Sequence, residues 1–187
     1  MTWRAILDEE TARDALAVVE EVASALRDPP PAFAPAASPA LWRRTVEASL
    51  ADGKAGLALL HHYVDRAWPG RGSAAVRDRL LDESVAAVET VPMGIGLYQG
   101  FVGQAWATLH LGTGGDDPNA DVDRALLTLL AEPAWEGKYD LIGGLAGLGV
   151  YALERGPAGR SILEGVVRHL DDLAEWDGEG AAWRTRP

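Results

Sequence analysis

The side chains in this sequence that can do chemistry are few, and their spacing narrows what that chemistry is. Asp140 stands directly before a glycine-rich apolar run, Leu-Ile-Gly-Gly-Leu-Ala-Gly-Leu-Gly. A carboxylate placed there would serve by capping the helix that follows or by pairing with an arginine. Glycoside hydrolysis would need a second carboxylate nearby, and only Asp52 occupies a comparable position. The histidines do not have metal spacing. His61 and His62 are adjacent, so on a helix their side chains diverge by about 100°. His110 falls at a predicted helix end, where the helix dipole accounts for it. His169 falls on a predicted outer helix, where solvation is expected. The chain has no cysteine, hence no thiolate metal site and no disulfide framework.

Helices have to hold these residues. Apolar side chains at Ala15, Leu16, Val19, Val22, Ala23 and Leu26 form a helical stripe over 8–27. The Pro/Ala-rich run 28–40 ends it, because proline removes backbone donors and restricts the residue before it. Further helices are predicted at 54–68, 74–90, 101–111, 119–131, 145–155 and 158–176. Trp-Pro-Gly, Val-Pro-Met-Gly and Arg-Gly-Pro are among their stop signals. No convincing alternating strand appears, so the expected fold class is all-α.

A repeat runs through these helices. Leu50, Leu97 and Leu141 each stand three residues before a glycine (Gly53, Gly100, Gly144) and six before a second (Gly56, Gly103, Gly147). The pattern L-x-x-G-x-x-G leads each time into an apolar helix, with a period of about 45 residues, typical of stacked helical hairpins. The first glycine marks a loop-to-helix junction, where backbone freedom is expected to be useful. The second lies one turn on, where a missing side chain lets a neighbour approach the backbone. Apolar helices imply an inner layer and amphipathic ones an outer layer. Two concentric layers describe an α/α toroid whose inner N-termini put partial positive charge around one rim.

These motifs, Tyr-Asp-Leu-Ile-Gly-Gly-Leu-Ala-Gly (139–147) most of all, resemble the lanthionine synthetase C-like family, the lanthipeptide cyclases, over roughly residues 40–187. The resemblance implies a ring of seven helical hairpins. It also implies closure of thioether rings in a ribosomal precursor peptide, by addition of cysteine thiols to dehydroalanine or dehydrobutyrine. A zinc ion held by two cysteines and a histidine activates the thiol in that family. Its Tyr-Asp aspartate matches Asp140, which the resemblance places at the central cavity as a catalytic candidate. The family's zinc ligands include a Cys-His-Gly at the start of a later glycine motif. The matching pairs here are Ala51-Asp52, Tyr98-Gln99 and Ile142-Gly143, so this chain is expected to hold no zinc.

Counting elements gives outer and inner helices three times over, then a fourth outer helix: three and a half hairpins, about half the ring. Residues 1–187 therefore read as one partial toroid domain, the N-terminal part of a cyclase and inactive alone. Zinc would be held in the C-terminal half. The expected partners are the precursor peptide and that complementary half, or a second copy through the open edges. The alternative is a non-catalytic peptide-binding or scaffold module built on a degenerate toroid. A net charge of −11 argues against nucleic acid and anionic membrane as partners. No apolar run approaches the ~18 residues of a membrane span, and the first residues have no signal-peptide core. A cytoplasmic protein is expected.

Overall fold

The structure, a computed structural model, describes residues 6–29, 39–112 and 117–184. Among these are eight α-helices: α1 (Glu9–Ala25), α2 (Ala40–Ala48), α3 (Lys54–Ala67), α4 (Ser73–Thr90), α5 (Phe101–Leu111), α6 (Ala120–Leu130), α7 (Leu145–Glu154) and α8 (Arg160–Asp172). The all-α expectation holds, with one small exception. Glu175–Trp176 (β1) pairs antiparallel with Ala181–Ala182 (β2), where the sequence predicts helix to 176. Asp177 makes the reversal by accepting the backbone N–H groups of Glu179 and Gly180 at 2.8 and 3.0 Å. Most of the Pro/Ala-rich run lies outside the described residues.

The glycine-led helices α3, α5 and α7 pack side by side as an inner row, and α2, α4, α6 and α8 lie outside them. Apolar composition on nearly all sides explains the inner position of α5 and α7. Val102, Ala105 and Ala107 are buried on one, Leu145, Leu148, Tyr151 and Ala152 on the other. Fully burying a leucine contributes roughly 1.5–3 kcal/mol. Amphipathic α8 turns Ile162 and Val166 inward. It also buries His169, which was expected in solvent; its Nε2 lies 3.1 Å from the Leu130 carbonyl, a partner that makes burial tolerable.

The outer row is corrected at its first member, expected at 8–27. The helix beside α3 and α4 at the start of the outer row is α2, which the sequence does not announce. The long helix α1 is an addition, and of its apolar stripe only Ala23 is buried. The residues just past it do reach the inner row: Leu26 and Pro29 line the same cavity as Gly56 and Leu57.

The repeat is a physical register as well as a sequence pattern. Gly53, Gly100 and Gly144 immediately precede α3, α5 and α7, and their φ values of −131°, −123° and −128° are open to any residue. Backbone freedom is therefore not their purpose, contrary to expectation. They are required because a Cβ would strike backbone: the Val46 carbonyl at Gly53, the Gly94 carbonyl at Gly100 and the Lys138 carbonyl at Gly144. The second glycines serve a closer approach still. A Cβ on Gly56, Gly103 or Gly147 would collide with the carbonyl of that repeat's own leucine, Leu50, Leu97 or Leu141. It would also meet the previous repeat: the Leu50 Cβ would lie 3.0 Å from a Cβ at Gly103, and the Leu97 Cβ 2.9 Å from one at Gly147. Each leucine thus seats on the glycine of the next inner helix. Backbone hydrogen bonds follow the same step, Ala51 N–H to the Tyr98 carbonyl (3.0 Å) and Tyr98 N–H to the Ile142 carbonyl (3.2 Å).

Candidate functional site

The turns that carry these hydrogen bonds form one rim, at the N-terminal ends of α3, α5 and α7. Next to it lies a cavity of about 710 Å3 along the inner row. Asp52 and Tyr98 line it at the rim, and Leu57, Trp106 and Val150 supply apolar wall. The wall is a direct product of sequence, since the stretches of α3, α5 and α7 that carry these three residues are mostly apolar. The volume suits a ligand pocket of ordinary size, apolar with a few polar groups at one end.

Asp140 sits on this rim but is solvent-exposed and outside the cavity lining. Its Oδ1 accepts the Gly143 N–H at 2.7 Å, and its carbonyl accepts the Gly144 N–H at 3.1 Å. Asp140 therefore shapes the turn that launches α7. The carboxylate that lines the cavity is Asp52, whose Oδ2 lies 3.4 Å from Gln99 Nε2 of the next repeat. Sequence reasoning placed Asp52 at a comparable position without assigning it a part in the site; its place in the L-x-x-G-x-x-G motif was the available signal.

The rim residues do not fit a zinc ion. Ala51-Asp52, Tyr98-Gln99 and Ile142-Gly143 bring together one carboxylate and one amide, with no imidazole or thiolate. Among the described residues, no group of three His, Cys, Asp or Glu side chains could hold a metal. His61, buried, points Nε2 toward the Leu26 carbonyl at 3.4 Å. Burial holds its imidazolium form back, and Arg27 and Arg79 add to that. It is a core side chain joining α3 to the end of α1.

The far end of α7 is anchored by charge. Arg155 pairs with both Asp123 and Asp117, and the Tyr151 hydroxyl donates to Asp123 Oδ1 at 2.6 Å. Hydrogen bonds to Asp123 and Asp117 push the guanidinium even further above its ordinary range. Burial and the Asp123 hydrogen bond do the same to the Tyr151 phenol. Asp117 is held below the usual carboxylate range by Arg155.

A family model described as Lanthionine synthetase C-like protein matches residues 44–185. The matched span begins inside α2 and takes in all three glycine motifs, leaving α1 outside. No curated protein matches the chain.

Proposed function

Since the chain belongs to the lanthionine synthetase C-like family, we propose that it is the N-terminal part of a toroidal cyclase, residues 1–187 forming half of the ring. The proposed reaction adds precursor-peptide cysteine thiols to dehydroamino acids, forming lanthionine or methyllanthionine. The observation that carries the reading is the repeat register itself. Leu50 seats on Gly103 and Leu97 on Gly147, while Leu141, the third of the series, stays 44% exposed against 5% for Leu97. A surface built to receive another glycine-led helix stands open at that edge.

In this reading the apolar cavity holds peptide side chains beside the rim. Thiol addition forms a C–S bond at the β-carbon and leaves an enolate that needs a proton at the α-carbon. Asp140, on the rim, is the acid–base group proposed for this, and Asp52 a group that orients the peptide. The zinc that would activate the thiol belongs with residues of the complementary half, because the rim pairs here cannot ligate it. The proposed compartment is the cytoplasm. Among the described residues no helix is long and apolar enough to cross a membrane.

The test combines three purified components: this chain, a family C-terminal half carrying Cys and Cys-His-Gly, and a dehydrated precursor peptide. Loss of alkylatable thiol without mass change reports cyclisation. Cyclisation that requires both halves supports the proposal. Failure of the halves to associate or cyclise, with the peptide still binding this chain, would favour the scaffold alternative.

A further inference from the structure

At the opposite end of the inner row from the rim, three repeat-equivalent residues form a hydrogen-bonded line. Tyr63, His110 and Glu154 each follow the first glycine of their repeat by ten residues. Each therefore stands at the same level of α3, α5 and α7. Tyr63 Oη lies 2.7 Å from His110 Nε2, and His110 Nδ1 lies 3.1 Å from Glu154 Oε1. Trp106, one turn back on α5, stacks on the His110 ring at 4.7 Å between centroids and 13° between planes. The imidazole is thus held by an indole face and by a partner at each nitrogen.

Chemistry fixes the direction of the line. A carboxylate only accepts, so His110 Nδ1 carries the proton that faces Glu154. In the neutral imidazole Nε2 then accepts, and the Tyr63 hydroxyl donates to it. The order carboxylate, imidazole, hydroxyl is the arrangement that activates a nucleophile in acyl transfer. The hydroxyl here belongs to a phenol that is 52% exposed, so a reagent in solvent can reach it.

We propose that Tyr63 is a base-activated nucleophile, a covalent acylation site served by His110 and Glu154 and directed at activated acyl donors. In the step, Tyr63 Oη attacks the acyl carbon and its proton passes to His110 Nε2. The new C–O bond forms, and the bond to the leaving group breaks with its electron pair. The leaving group then takes up the proton held by His110. No oxidant or reductant is involved, and the product is an O-acyl tyrosine. The site shares Trp106 with the cavity wall but lies toward the other end of the inner helices and uses neither Asp52 nor Asp140, so it does not rest on the cyclase reading.

N-Acetylimidazole is the probe, with N-acetyltyrosinamide in the same tube as a fully exposed reference phenol. At neutral pH, peptide mass spectrometry should show Tyr63 acetylated at least ten-fold faster than the reference and faster than Tyr98 or Tyr139. His110→Phe keeps an aromatic ring against Trp106 but removes the base, and should bring Tyr63 to or below the reference rate. Glu154→Gln should give an intermediate rate. A wild-type Tyr63 that reacts no faster than the free phenol overturns the proposal, because exposure alone then explains its reactivity. So does an unchanged fast rate in a folded His110→Phe. If that variant does not fold, the wild-type comparison and Glu154→Gln decide: a Glu154→Gln variant as fast as wild type refutes the relay.

Discussion

Glycine is costly inside a helix, about 1 kcal/mol relative to alanine, yet each inner helix keeps one in its first turn. The structure shows what that cost secures: a leucine of the previous repeat and a carbonyl of the same repeat both press on the bare Cα of Gly103 and of Gly147. Gly103→Ala and Gly147→Ala should therefore destabilise beyond the usual overpacking range of about 1–3 kcal/mol, because the obstacle is backbone that cannot change rotamer. Gly94→Ala, where a Cβ meets nothing within 4 Å, should be near neutral in the same urea melts. Equal effects at all three would show that the close approach is not what the glycines serve. Asp140 divides along similar lines. Asp140→Asn keeps the acceptor for the Gly143 N–H and should fold normally, whereas Asp140→Ala should lose about 0.5–2 kcal/mol, as other lost caps do. In a reconstituted cyclase the Asn variant should nonetheless cyclise ~10²–10⁴-fold more slowly. A normal rate would leave Asp140 a turn residue only. The glycine pairs were legible because a period repeated three times is hard to produce by chance. The side chain that faces the cavity was not legible, because Asp52 and Asp140 differ by which way a short turn points them.

At the scale of elements, α5 and α7 could be read directly, since a mostly apolar run after a glycine leaves little else for them to be, and the shared glycine motif extended the reading to the more polar α3. The short helix α2 could not. Nine residues are marginal as a helix on their own, and α2 exists because Val46 and Ala48 bury against its neighbours. The ribbon of β1 and β2 escaped for a similar reason: two residues per strand carry no alternation to detect. His61 gives α3 a measurable pH response. Burial depresses its folded pKa, so as pH falls through about 6.5 the unfolded chain takes up a proton that the folded one refuses. His62, also depressed by burial and by Arg77 and Arg66, acts in the same sense. Stability is thus complete above that pH and declines below it, with a limiting slope of about 1.4 kcal/mol per pH unit for the buried His61. Thermal melts at pH 7.5 and 5.5 should show the decline, and His61→Leu should flatten it. A wild-type melting temperature unchanged between the two would contradict a buried neutral His61.

For the whole molecule the decisive feature is the third repeat's edge. Ile142 is 60% exposed beside Leu141, and its carbonyl is already taken by Tyr98. Exposed apolar clusters of this kind mark contact surfaces. We expect light scattering over a dilution series to show association, with Leu141→Asp reducing it while leaving the circular dichroism spectrum unchanged. A compact monomer with a sharp melt at micromolar concentration would remove the half-ring reading. Elemental analysis of purified, tag-free chain should find no stoichiometric zinc, since one rim carboxylate without imidazole or thiolate is too poor a donor set.

The stepwise hydrogen bonding of the rim also has a direction. Both rim bonds between repeats run from an N–H of the earlier unit to a carbonyl of the later one, so the two ends of the row are chemically different. At the first end, no leucine of a preceding repeat presses on Gly56, and Leu26 and Pro29, just past α1, line the cavity beside it. At the other, Leu141 stands uncovered. Such a stack has an open glycine seat at its start and an open leucine at its tip, as a solenoid without capping repeats does. Two tips cannot satisfy each other, because both present the same leucine and neither presents the glycine it needs. Addition is therefore directional. A partner that offers a glycine-led helix joins at the tip, and a second copy can do so only head to tail, by bringing its own Gly56 to Leu141.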